Sequence, residues 1–559
     1  MKKILLVLAG ITMVIAANAQ NWNYAVALGG RSSVDGLTGI ARDANGNMYI
    51  TGEFEGTRPF GSGTMTAVGF SDLFLAKYSA AGVYQWSIQI GGTNNVMEAG
   101  GVAVDNAGNV YITGNFSFNA NFSGNTLSAN GSNDAFLAKY DASGNYKWVR
   151  ALSSPGFEKT TAIQSDGTGM YITGAYTQAM TVNSVSFAAP TGNLEDAFLL
   201  KTDTSGTAVW GLKAGGSYDD RGTCLSVSAN TIFWGGYFRG LNANFNGTML
   251  SSGNVGYNDM FIVKLNSSGV QQWAKKFGGV YAETMNGVSQ NIWGDAVCIG
   301  NFYGTVVFGT GMQLVEAYGS QPPAGNGDAC VFKISGVDGT CQWVRQIRSN
   351  VNFNEVASGV STDPGGSAYV TGTYNDVPTI FGATATQTGT SLTGVNGTDA
   401  YLAKYNLSGG LVWVIGIGGQ SNDRGKSVLW DVNGFCNLAC NFGGTITLGS
   451  NVVTSSPGAV SSFIARYDGL TAGINDFNSG FEFGVFPNPV SDFITITSDV
   501  TLPLDKIEIY SVMGAVVMNE SFPVQTTEVK MNISDLTPGI YFVHVMSGDQ
   551  TGIRKIKVN

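Results

Sequence analysis

Gly101-Val102-Ala103-Val104, Asp105-Asn106-Ala107-Gly108-Asn109, Val110-Tyr111-Ile112-Thr113-Gly114-Asn115-Phe116, then Asp134-Ala135-Phe136-Leu137-Ala138-Lys139-Tyr140, Asp141-Ala142-Ser143-Gly144 and Tyr146-Lys147-Trp148-Val149. These are four short apolar runs separated by two tight Asp/Gly breaks and one longer connection. β-branched and aromatic residues suit strands, and Gly and Asn supply the positive-φ positions of turns. The stretch therefore predicts four antiparallel strands, a to d, in one meander. The pattern recurs. Strand b returns as Tyr49-Ile50-Thr51-Gly52, Tyr171-Ile172-Thr173-Gly174 and Tyr369-Val370-Thr371-Gly372, and strand c as Phe74-Leu75-Ala76-Lys77-Tyr78 and Tyr401-Leu402-Ala403-Lys404-Tyr405. A tryptophan marks strand d at positions 22, 86, 148, 210, 273, 343 and 413. The steps between these positions are nearly equal, the last two being slightly longer. A steady period means stacked units rather than one irregular core.

The array opens on a strand d with no strands before it and closes on a strand c, Phe463 to Tyr467, with none after it. Pairing the two ends completes a seventh unit and removes two sheet edges. The expected fold is all-β: a seven-bladed β-propeller over 20–468, closed by pairing of its N- and C-terminal strands. The tryptophans are expected to be apolar wedges between neighbouring blades. A linker over 469–483 leads to alternating apolar runs over 484–559, read as a small Ig-like β-sandwich.

The repeat strings, Asp-x-x-Gly-Asn-x-Tyr-Ile-Thr-Gly-x-Phe at 105–116 and Asp-x-Phe-Leu-Ala-Lys-Tyr at 134–140, resemble the bacterial seven-bladed β-propeller repeats. That resemblance implies a fold and leaves the activity open. The segment 484–559 resembles the type A C-terminal sorting domain of type IX secretion substrates. The residues that carry it are Pro487-Asn488-Pro489, Tyr510 to Gly514, Leu536 to Gly539 and Tyr541, and the terminal run through Lys555. It implies the type IX secretion machinery as partner and a secreted or cell-surface location.

The N-terminus supports an export route. Lys2 and Lys3, an apolar run from Ile4 to Ala16, and Ala17-Asn18-Ala19 form a signal peptide over 1–19, with cleavage expected between Ala19 and Gln20. No other long apolar run occurs, so no transmembrane span is expected in the mature chain. Of 559 residues, 29 are Lys or Arg and 39 are Asp or Glu, a net charge of −10. No basic stripe is present, and a nucleic-acid partner is set aside. His544 is the only histidine. Its position outside the repeats removes His-based zinc sites and Ser-His-Asp triads from the main domain. Six cysteines permit 15 pairings, and Cys330 with Cys341, flanking one hairpin, is the best disulfide candidate.

Two features point to a functional face. The b–c connection varies: it is short between Phe54 and Asp72 and much longer between Phe302 and Asp328. The loops around Tyr303–Gly327 and Asn375–Thr398 are expected to shape a binding surface. An acid also stands in each d–a loop: Asp35, Glu98, Glu158, Asp220, Glu283, Glu355 and Asp423, each at the same short distance before an apolar position of strand a. Such acids are expected either to ring one mouth of the central channel and attract a cation, calcium being possible, or to accept backbone N–H groups in their own loops. No catalytic residue and no other cofactor is identified, and an enzyme is not the first reading. The expected function is a secreted or surface binding propeller for an extracellular glycan or protein. The alternatives are a polysaccharide hydrolase or lyase, and a structural coat component.

Overall fold

The computed structural model describes residues 22–28, 36–61, 63–317, 327–349, 355–384, 389–431, 433–455, 460–468, 483–487, 490–498, 504–511, 515–522, 526–547 and 550–558. The signal-peptide region with Ala19 and Gln20, most of the linker, Asp35, Asn488, Pro489 and Gly514 lie outside the described residues.

The repeats fold as seven antiparallel units of four strands, numbered here I to VII, four of them separate four-stranded sheets and three extended to six strands by a hairpin of the next unit. Unit II shows the pattern: Met97–Val104, Val110–Phe116, Asp134–Tyr140 and Tyr146–Leu152 pair in sequence order. In unit VII the first three strands are Arg424–Trp430, Phe435–Gly443 and Val460–Asp468, and the fourth is Trp22–Ala27 from the other end of the chain. Strand b is buried along most of its length in every unit, and along all of it in Val110–Phe116. Strand d is half-exposed, which places it at the outer side of each unit.

Hydrophobic clusters lie between neighbouring units. One joins Tyr49 and Leu75 of unit I to Val102 and Ile112 of unit II. The wedge residues are held by a repeated device. Trp86 Nε1 donates to the carbonyl of Ala142 in the c–d turn of the next unit, and Trp210, Trp273 and Trp343 donate to Ser267, Gly336 and Leu407. The strand c lysines reach the same carbonyls, Lys77 to Ala142 and Lys201 to Ser267. The turn glycine of the next unit lies flat on the ring. A Cβ on Gly206 would sit 2.7 Å from Trp148, and φ there is +81°. This is why a glycine recurs at that turn position, as Gly144, Gly206, Gly269, Gly339 and Gly409.

At the chain ends the device is shared between unit VII and unit I. Arg466 donates to the Ala80 carbonyl at 2.7 Å, and a Cβ on Gly82 would meet the ring of Tyr24. Tyr24 pairs with Arg466 as Trp86 pairs with Lys77. The wedge position in this strand is therefore Tyr24. Trp22 pairs with Tyr467, one place further out. Tyr24 stands as far before Trp86 as Trp86 stands before Trp148, so measuring from Tyr24 makes the first step of the array regular.

The b–c connections differ from open loops. Each carries a further hairpin, such as Asn119–Phe122 with Asn125–Ser128 and Ala243–Phe245 with Thr248–Leu250. Several extend the outer edge of the preceding unit: Ala214 pairs with Phe245, Gly278 with Val307 and Ile347 with Phe381. The hairpin Thr305–Gly309 with Met312–Val315 takes up much of the long connection after Tyr303. Length there is largely sheet, and only residues 318–326 and 385–388 of the two long connections are undescribed.

All six cysteines are buried, free thiols. Cys330 pairs with Gln346 and Cys341 with Ile334, so the expected bridge fails because the two residues sit at different heights of the hairpin. The C-terminal segment forms a three-stranded sheet, Phe483–Phe486, Phe493–Ser498 and Glu528–Asn532, and a four-stranded one, Val516–Ser521, Lys506–Ser511, Gly539–Ser547 and Gln550–Val558. They share a core of Ile494, Ile507, Val543 and Ile556, with Tyr541 buried and Leu536 packed at its margin.

Candidate functional site

Strand a of every unit carries a bulge, and one strand b position, a glycine in six units and Cys440 in unit VII, fixes the register across units. Two residues before its partner stand Glu158, Asp220, Glu283, Glu355 and Asp423. These five are fully buried. Their carboxylates accept hydrogen bonds within the junction: Glu158 from Ser154 N, Asp220 from Gly216 N and Arg239 N, Glu283 from Gly279 N, Asp423 from Gly419 N and Gly443 N, and Glu355 from Asn375 Nδ2. They clamp their own loops and do not line an open mouth.

Glu98 does not belong to this set. Ala99 pairs with Gly114, so the equivalent position in unit II is Met97, which is fully buried in an apolar cluster. Counting back from Ala103 shifts the register by one, because the structural counterpart of Ile163 is Val102. Asn95 does the clamping in this loop: its Oδ1 accepts from Ser117 N and its Nδ2 donates to the Asn119 carbonyl.

Released from the clamp, Glu98 is half-exposed and forms an ion pair with Lys159 of unit III, Nζ to Oε2 2.7 Å. It opens onto a cavity of about 480 Å³ on the face where the b–c and d–a connections emerge. Glu53, Ser71, Ala99 and Lys426 also line it, and Phe70 and Val96 stand exposed at its rim. Glu53 occupies the strand b position that bridges to the next unit. Its Oε1 accepts from Ala99 N at 2.9 Å, as Asn115 Oδ1 accepts from Thr160 N and Asn441 Oδ1 from Leu37 N. Burial pushes the Glu53 carboxyl up to about 7, and nearby Glu98 adds to this. The Ala99 amide, Lys159 and Lys426 oppose it. The result is a pocket lined by three carboxyl groups, of Glu53, Glu55 and Glu98, and two ammonium groups, of Lys159 and Lys426, in which a carboxyl raised by burial stands near an ion pair.

Among the described residues, no group of three or more His, Cys, Asp or Glu side chains could hold a metal ion. The Asp residues of the a–b turns bind their own loops: Asp105 Oδ1 accepts from Ala107 N and Asn109 N. In the C-terminal segment, Pro487 is exposed, Gly539 opens a strand, and Tyr541 Oη donates to the Thr537 carbonyl at 2.9 Å. His544 is buried, with Glu508 3.8 Å from its Nδ1.

Residues 484–559 match the family model described as a secretion system C-terminal sorting domain, and residues 85–115 match a beta-propeller repeat. The first match indicates export by the type IX secretion route. An uncharacterized WD repeat-containing protein of Acanthamoeba polyphaga mimivirus is 24% identical over 400 residues, 59% of this chain. The chain spans only 28% of that relative's length. Similar solved structures include a streptogramin B lyase (TM-score 0.37, 9% identity, 80% of this chain and 99% of that one). Others are the quinohemoprotein alcohol dehydrogenase of Comamonas testosteroni (0.40, 11%, 85% and 79%) and BamB of Moraxella catarrhalis (0.32, 12%, 73% and 93%). No helix among the described residues is long and apolar enough to cross a membrane.

Proposed function

We propose that this is an exported binding protein, displayed at the cell surface or released, whose seven units are the blades of a closed propeller and whose C-terminal Ig-like module carries the export signal. The pairing of Trp22–Ala27 with Val460–Asp468 and the bond from Leu37 N to Asn441 support the closed ring. The ligand site is the cavity lined by residues of units I and II together with Lys159 of unit III and Lys426 of unit VII. The observation that carries this reading is Glu98, the one described d–a acid that leaves the clamp and turns toward solvent beside Lys159, Glu53 and Lys426.

The ligand class we assign is a glycan. Three carboxyl groups with two ammonium groups among them disfavour a strongly anionic ligand. Fixed carboxylate and ammonium groups satisfy hydroxyls as acceptors and donors, and the exposed Phe70 ring offers a flat apolar face for a sugar ring. A glycan array with the full-length chain tests this. Binding to a defined sugar class, lost in Glu98→Gln and Phe70→Ala, is the expected outcome. No binding to any glycan would point to a protein ligand or a coat role.

One observation favours a second reading, cleavage of a bound polysaccharide: Glu53, whose carboxyl burial pushes up to about 7, and Glu98, ion-paired with Lys159, share the cavity. Release of new reducing ends from an array-positive polysaccharide, abolished in Glu53→Gln, would establish it.

A further inference from the structure

Each buried d–a acid faces a second one. The aspartate that opens strand c of the preceding unit points into the same junction, giving the pairs Asp134 with Glu158, Asp196 with Asp220, Asp259 with Glu283, Asp328 with Glu355, and Asp399 with Asp423. All ten residues are at most 3% exposed. Asp134 and Glu158 share one buried junction, where two ionised carboxylates would repel each other. At Gly215 a Cβ would meet the carboxylates of both Asp196 and Asp220. One oxygen in most pairs has no donor: Asp196 Oδ1, Asp259 Oδ1 and Glu283 Oε1, Glu355 Oε2, and Asp399 Oδ1. The other oxygens are occupied, Asp259 Oδ2 by Lys276 Nζ and Gly253 N, and Asp399 Oδ2 by Val395 N.

We infer that each of these five junctions is closed by a proton shared between its two carboxyls, so that the ring carries a set of acid-stabilised clasps. An unmet buried acceptor is costly, and a single hydrogen between the facing oxygens satisfies both residues at once. A divalent cation would need six or more oxygens. The junction offers two carboxyls whose remaining oxygens are already engaged, at Asp259 by an ammonium.

The titration follows the same geometry. Burial, reinforced by the partner carboxyl, raises Glu158 and Asp423 to about 7, Asp220 and Glu355 to about 8 and Glu283 to about 9. Other groups face the pairs. Lys213 and Asp219 stand at Asp196 and Asp220, and Lys276 and the Cys330 thiol at Asp259 and Glu283. Glu316 and Arg348 stand at Asp328, and Asp376 at Asp399 with the Cys440 thiol at Asp423. The basic neighbours lower the shifts and the acids enlarge them. A folded carboxyl raised above its unfolded value stabilises fully below the ordinary carboxylate range. That contribution is lost as pH rises through the folded value. The window runs from about pH 4.5 to about 9.

Thermal unfolding of the full-length chain at pH 5 and pH 9, with chelator and with added calcium, tests the inference. The melting temperature is expected to fall toward pH 9 and to ignore both additives. Glu283→Gln supplies a permanent hydrogen in place of the shared one. It should leave the melting temperature at pH 5 unchanged and raise it at pH 9 by about 2–4 °C. The infrared carbonyl band of protonated carboxylic acid should persist in the wild type at pH 6.5–7 (~2 units above an ordinary carboxyl), a readout independent of any variant. Absence of that band, a melting temperature indifferent to pH, or stabilisation by calcium that Glu283→Gln abolishes would overturn it, the last in favour of a cation site.

Discussion

The junction between units I and II and the five that follow it share one backbone frame and differ at one side chain. In the five, a carboxyl fills the space behind strand a and binds the loop that delivers it. In the first, Met97 fills that space, Asn95 binds the loop, and the neighbouring acid turns outward to line a cavity. A repeat protein can thus open a cavity without a new loop, by giving one structural polar residue an apolar substitute and freeing the next.

The most damaging way to break the comparison is to make a later junction resemble the first without its compensating asparagine. Asp423→Leu leaves the amides of Gly419 and Gly443 without an acceptor. It should lower stability by about 2–4 kcal/mol in denaturant unfolding, whereas Met97→Leu should change it by less than about 1.5 kcal/mol. A smaller effect is expected at a feature both kinds of junction share. Gly206→Ala forces a Cβ against Trp148 at a positive φ and should cost about 1–3 kcal/mol by the same measurement. The smallest belongs to the released acid. Glu98→Gln removes a half-exposed ion pair and should alter stability by less than about 1 kcal/mol. A larger loss would mean that Glu98 is structural after all, and that the contrast between the junctions has been drawn at the wrong residue.

Much of this frame was readable from residue order. Strands a to d follow from turn chemistry and the recurring Tyr-Ile-Thr-Gly and Phe-Leu-Ala-Lys runs, and the wedge from the spacing of tryptophan. Three things were hidden for physical reasons. The bulge in strand a makes apolar residues an unsafe ruler: Val102 and Ala103 are both apolar and both buried, and only the pairing of Ala99 with Gly114 fixes the register. Tyr24 does the work of a tryptophan with a different ring, so the more conspicuous Trp22 draws the eye. The extra hairpins are built from very short strands, such as Met180–Val182, whose alternation is too brief to stand out from a loop. Their signal is a tight Asn or Gly turn between two threonine- or phenylalanine-bearing runs, as in Asn119 to Ser128.

The placing of glycine on tryptophan has a consequence for how such a chain can change length. Each contact is divided between successive repeats, the ring from one and the turn from the next. Excising or inserting a stretch equal to one whole period brings a ring and a turn of the same kind together again, wherever the cut falls. Excising half a period leaves a ring uncovered and a turn with nothing beneath it. The chain can therefore be edited in whole repeats at little local penalty.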